Sequence, residues 1–437
     1  MKNQFLNRVK THRKGFALLT LVILSMFHFI YGIVPGWNKI QDDFPNYYVS
    51  AKLLTEHQDL SVLYSNELFN EKINILGLPT VGQFALYAPP NALLFIPLSG
   101  MAPLTAKRAW LLFNVLLIFL CGILIRKLTQ WSLVFSIVIV LLSGFALTND
   151  LFLGQVYLFM TTLLMYGLLL IRKNNNYLSG SILGIVLAIK YVSIVFIPSL
   201  FLMRKWKALA GIFSAAVFLY LACIPFFGLD TITYFFKHVF YSHINGLLYE
   251  GRPYAVQYQS WDSLLNNLFV FDKNFNPNPF IHSMALFYLI KYSLLVSVIF
   301  ILAWFFLQTF RQPLFLDVTV SLSLLSLLIL EPGSATYHLL FLLLPFIMIL
   351  RLMILSKSPL QPVYVILFFL IGFLPALLNT YTVFNGNNLS HGDIRFLFSY
   401  HRLWLEMVFY FCSIYFLFNF VKNDSFQNAK SITKMKS

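Results

Sequence analysis

Two carboxylates, Asp42 and Asp43, stand side by side in WNKIQDDFPNYYVSAKLL, directly after the first long apolar run and ahead of a group of aromatics. Like-charge repulsion between such neighbours raises proton affinity. Asp43 equally suits the cap of a short interfacial helix: Pro45 fits a first turn, and Phe44, Tyr47, Tyr48 and Ala51 recur at helical spacing. Lys190, in LGIVLAIKYVSIVF, has apolar residues on both sides, where an ammonium is costly unless paired or solvated. The default reading is functional, against a structural ion pair or snorkelling. His338 begins an apolar run after LILEPGSATY, and a lone interfacial histidine is more often structural than catalytic. His238 and His243, beside Asp230 and Glu250, lack a third ligand at fixed spacing, so no metal site is expected. Cys121, Cys223 and Cys412 fall in apolar runs and read as buried thiols without a disulfide framework.

The elements that must position these groups follow from composition. A chain of 437 residues that is 59% hydrophobic and 11% charged, with 47 Phe, cannot be arranged as a water-soluble surface around one core. Apolar runs long enough for roughly 30 Å of hydrocarbon begin near residues 15, 107, 131, 154, 206, 284, 314, 336, 359 and 402. Their continuity excludes a β-barrel, and the fold expected is an all-α polytopic membrane protein. The first run, GFALLTLVILSMFHFIYGIV, lacks a small-residue cleavage site and reads as a retained span. The net charge of +15 is mostly topology: Arg126, Lys127, Arg172, Lys173, Arg204, Lys205, Lys207, Arg311, Arg351 and Lys357 cluster at run ends on one side, with no basic-aromatic patch suited to nucleic acid.

With the N-terminus cytoplasmic, residues 1–14 are an inner arm, 15–422 one integral membrane domain and 423–437 a cytoplasmic tail. The long loops, 35–106, 228–283 and 381–400, then face outward, and functional residues are expected on them. YAPPNALLFIPLSGMAP is short and interrupted by proline, which suits a helix lying at the interface. YLSGSILGIVLAIKYVSIVFIPSLFLMRKWK, with cations at both ends and Lys190 near its middle, reads as two half-helices that enter and return.

In order along the chain, DFPNYYVSAKLL, YAPPNALLFIPL, GQVYLFMTTLLMYGLLLIRK, SGSILGIVLAIKYVSIVFIPSLFLMRKWK, QYQSWDSLL and SATYHLLFLLLPF resemble glycosyltransferase family 87. The likeness covers roughly residues 15 to 350; Tyr191 stands where the family often has Pro. The resemblance implies a GT-C-type bundle of about ten to twelve transmembrane helices, half-helices included. It implies a polyprenol-phosphate-mannose-dependent mannosyltransferase of a bacterial inner membrane, with an outward site, a glycolipid or glycan acceptor and no cofactor. On it, Asp43 maps to the base that takes the acceptor proton in an inverting transfer, with Asp42 its neighbour. Lys190 contacts the donor phosphate or holds a loop carboxylate. Gln155, Gln259, Ser260 and His338 map to binding positions, Arg252 is a phosphate candidate by charge, and Tyr47, Tyr48 and Tyr87 suit a sugar or the lipid–water boundary. A flippase or transporter of a lipid or sugar-lipid, and an inactive scaffold of the same fold, stay open.

Overall fold

The computed structural model describes residues 2–40, 43–56, 63–84, 87–245, 253–377 and 394–422. Asp42, Arg252, the tail from Asn423 and most of the 381–400 loop lie outside the described residues. The described chain is helical, with one isolated bridge between Asp272 and Asn276.

The first helix, α1 (Gly15–Asn38), leads into three short ones, α2 (Phe44–Thr55), α3 (Asn66–Ile75) and α4 (Pro90–Ser99), before the long α5 (Pro103–Thr129). Next come α6 (Leu133–Leu141), α7 (Phe145–Leu153), α8 (Tyr157–Arg172) and α9 (Asn176–Ile189). A 3-10 stretch, Tyr191–Phe196, joins α9 to α10 (Ile197–Leu202), and α11 (Trp206–Tyr234) continues through a π-turn to Ile244. The chain completes with α12 (Trp261–Phe269), α13 (Met284–Thr309), α14 (Phe315–Leu330), α15 (Leu343–Leu355), α16 (Gln361–Leu377) and α17 (His401–Lys422).

Among the described residues six helices are long and apolar enough to cross a membrane, or seven with α6 and α7 taken as one bent span. The remaining apolar helices have 10–17 residues, so a total of ten to twelve is reached only by counting half-length pieces. The chain is an all-α polytopic membrane protein. The segment containing α15 is 83% buried and forms the centre, whereas α13, 11% buried, lies at the rim with its apolar side chains turned outward.

The run expected as one span from residue 131 is instead bent by 75° between α6 and α7. Gly144 makes the bend: its φ is +58, and a Cβ there would stand 2.4 Å from the Gly372 carbonyl oxygen of α16. His28 of α1 secures the bend, its Nε2 donating to Leu141 O at 2.8 Å while Nδ1 lies 3.0 Å from Thr148 Oγ1. At ten residues, α4 is about 15 Å long and too short to cross.

The pair α9 and α10 does enter and return: Lys205, just beyond α10, donates to Oδ1 of Asn174 and of Asn176, at the start of α9, at 3.1 Å each. Close approach of glycine faces holds α9 on α11. A Cβ on Gly180 would come 2.0 Å from Ala208 O, and one on Gly184 2.4 Å from Ile212 O. The cation-rich end is fastened by Asp317, which meets Arg172 at 2.6 Å and Arg351 at 3.6 Å, while Arg172 also donates to Leu128 O at 3.0 Å. From there α14 carries the chain roughly 24 Å, at about 1.5 Å per residue, to Glu331.

Candidate active site

At that opposite end, a cavity of about 820 Å³ opens between α2, the segment entering α4, the α8–α9 pair, the end of α11 and residues 333–338. Asp43, Tyr47, Tyr87, Lys190 and His338 are among the residues that line it. Five of the residues named from sequence thus share one wall system, although they are separated by up to 295 positions (338 − 43).

Asp43 occupies the N-cap position of α2, but its side chain makes no capping hydrogen bond; the cap is closed by its backbone carbonyl, which accepts from Asn46 N at 3.1 Å. The helix start therefore sets where the residue sits without explaining its carboxylate. Burial raises the Tyr87 hydroxyl well above its ordinary value, and the Asp43 charge adds to the shift, so Tyr87 stays protonated beside it. Gln155 lies behind both tyrosines: its Oε1 accepts from Tyr47 Oη, and its Nε2 is 3.4 Å from Tyr87 Oη. Asp150 starts α8 by accepting from Tyr157 N and Leu158 N at 3.0 and 3.2 Å, which orients Tyr157 toward the cavity it lines.

Lys190 has extended backbone (φ −152, ψ 137) and ends α9. The carbonyl left open at Ile189 accepts from Asn91 Nδ2 at 3.0 Å, so an amide from the α4 segment satisfies the broken helix. The Lys190 ammonium meets Glu331 Oε1 at 2.6 Å and donates to Tyr157 Oη at 2.8 Å. Tyr157 Oη is 2.5 Å from His338 Nε2, and His338 Nδ1 is 3.2 Å from Glu331 Oε2. Lys190 donating to Tyr157 and Tyr157 donating to His338 make a hydrogen-bonded chain, which Glu331 flanks at both ends through ion-pair contacts that lack hydrogen-bond geometry. Burial alone would push the Glu331 carboxyl up; attraction from His338 and Lys190 outweighs it and holds the group well below the usual carboxylate range.

Tyr48, Gln155, Gln259 and Ser260 do not line the cavity, whereas His243 does. Tyr48 donates from its hydroxyl to Met101 O at 2.7 Å, tying α2 to the turn before α5. Gln259 donates to Val256 O and Ser399 O at 2.8 Å each and accepts from Arg402 N at 3.2 Å. Ser260 caps α12 and donates to Pro332 O. These two are braces of the second loop. His243 faces Tyr191 Oη at 2.9 Å and His238 packs on the Tyr234 ring, 4.5 Å between centroids, so the two histidines do not converge.

Glu331, Tyr157 and Asn91 are the residues that sequence reasoning passed over. A lone lysine in an apolar run calls for a carboxylate at the same depth, and Glu331, which ends an apolar run, is such a carboxylate.

The helical bundle has a wide cavity at one end, walled by a carboxylate, tyrosines and a paired ammonium. A family model, glycosyltransferase family 87, matches residues 85–332, more than half of the chain, and the chain belongs to that family. It is accordingly a membrane glycosyltransferase. Tyr87, Gln155, Lys190 and Glu331 lie inside the match, and Asp43 and His338 outside it. No curated protein matches the chain.

Proposed function

We propose that the chain transfers a sugar, mannose by family resemblance, from a polyprenyl-phosphate donor to a hydroxyl of a glycolipid or glycan acceptor. The carrying observation is that one cavity is lined by both a carboxylate, Asp43, and a partly buried ammonium, Lys190. In the transfer, the acceptor oxygen attacks the anomeric carbon as the bond from that carbon to the phosphate oxygen breaks. The bonding pair leaves with the polyprenyl phosphate, the acceptor proton passes to Asp43, and the anomeric centre inverts. Lys190 receives the charge that develops on the phosphate.

A lipid donor agrees with the cavity's flank. Ile194 and Phe236 line it yet are 47% and 44% exposed, so the cavity has an apolar edge open at the protein surface through which a lipid chain can enter. The positive-inside bias supports a cytoplasmic cation-rich end; on that reading the cavity faces outward and both termini lie inside, and the proposed setting is a bacterial plasma membrane. Purified protein in nanodiscs, offered radiolabelled polyprenyl-phosphate mannose or a nucleotide-linked mannose with a membrane-lipid extract, tests the donor class. Transfer from the lipid donor alone is expected; transfer from the nucleotide sugar alone refutes it.

A further inference from the structure

We propose that Glu331 is the positioning residue for the donor phosphate, a buried carboxylate that holds Lys190 and His338 on the cavity wall in the arrangement that receives it. This inference rests on the reading of the cavity as a lipid-phosphate site.

Glu331 does not line the cavity, and its side chain is 3% exposed. Both of its oxygens are directed at residues that do line it, one at Lys190 and one at His338. An ammonium has three donors. The Lys190 ammonium meets Glu331 and Tyr157 closely, at 2.6 and 2.8 Å, and its third contact, His338 Nε2 at 3.3 Å, is the long one. A phosphate oxygen at the wall therefore has only that long contact to displace, between two residues that both line the cavity. His338 is oriented by the same carboxylate: with Nδ1 turned to Glu331, Nε2 is the nitrogen on the Lys190 side.

The segment that carries Glu331 is itself braced. Ser260 donates to Pro332 O, Arg402 donates to Ser334 O, and Arg402 Nη1 donates to Thr336 Oγ1 at 3.0 Å. The carboxylate is therefore fixed before any ligand arrives, which is what a positioning role requires. Without it, Lys190 is an ammonium in apolar surroundings whose one remaining strong contact is a neutral hydroxyl, and a buried charge with its counter-charge removed does not persist. The tyrosine cannot replace the carboxylate, because it neutralises nothing.

The experiment measures binding of a polyprenyl phosphate and of the polyprenol of the same chain length to the full chain in nanodiscs. Wild type is compared with Glu331→Gln and with the double variant Lys190→Met/Glu331→Gln, which leaves no lone charge and so guards against loss of the fold. Wild type is expected to prefer the phosphate, and Glu331→Gln to lose about tenfold of that preference, the scale of a charge-assisted hydrogen bond, with polyprenol affinity unchanged. The double variant is expected to show no greater loss than the single, since the two act as a unit. A purely structural role would weaken both lipids together and overturn the inference. Undiminished or stronger phosphate preference in Glu331→Gln overturns it as well, while leaving the cavity reading intact. Equal binding of the two lipids by wild type overturns the cavity reading itself.

Discussion

Changing Gly180 to Ala should damage both stability and transfer, although the residue lies ten positions from Lys190. The added Cβ would stand 2.0 Å from Ala208 O, whereas ordinary contact begins at 3.4 Å. The obstacle is helix backbone, so α9 and α11 must part by about 1 Å rather than adjust a side chain. The backbones are equally close from the other side, where a Cβ on Gly211 would stand 2.4 Å from Tyr177 O. Overpacking of this kind costs about 1–3 kcal/mol. Because α9 ends at Lys190, the same displacement moves the ammonium away from Glu331, and a shift of about 1 Å in a positioning group costs about a hundredfold in rate. The assay is the midpoint of denaturant-induced unfolding in detergent, followed by sugar transfer from the lipid donor. Gly100→Ala is the control, because nothing lies within 4 Å of a Cβ at Gly100. If Gly180→Ala unfolds with the wild-type midpoint and transfers sugar at the wild-type rate, the interlocked contact between α9 and α11 is wrong.

Asp317→Asn would leave Arg172 and Arg351 facing one another at the cation-rich end, and a loss of about 3 kcal/mol is expected in the unfolding midpoint. His28→Leu removes two buried hydrogen bonds at the bend between α6 and α7 and should cost about 2 kcal/mol by the same measurement. Ala216→Trp, on the cavity wall contributed by α11, should obstruct the lipid donor and abolish transfer while the unfolding midpoint stays within about 1 kcal/mol of wild type, because the ring enters open space. Transfer at the wild-type rate by that variant would mean that the donor does not enter past α11.

The apolar runs made the helices legible, because hydrocarbon leaves the backbone no other choice. Chain breaks were legible only where a charge marked them. Lys190 announced the division between α9 and the following turn, whereas the bend at Gly144 depends on contact with Gly372, a residue 228 positions away (372 − 144), and nothing local signals it. The site was legible in the same uneven way. Asp43 and Lys190 stand out as charges in apolar context and do line the cavity. Gln259 and Ser260 match the family pattern equally well and act as braces of the second loop, since a residue type does not reveal whether its polar atoms face a cavity or a neighbouring carbonyl. Glu331 carries no local mark of its role, which comes only from α14 and α9 bringing it to Lys190.

The most direct test of the account compares wild type with Asp43→Asn and Asp43→Glu in transfer from radiolabelled polyprenyl-phosphate mannose, alongside donor binding. The account predicts that Asp43→Asn binds the donor as wild type does yet loses about a hundredfold or more in transfer rate, with partial recovery in Asp43→Glu. Transfer by a folded Asp43→Asn variant at the wild-type rate would contradict the assignment of the proton to this carboxylate.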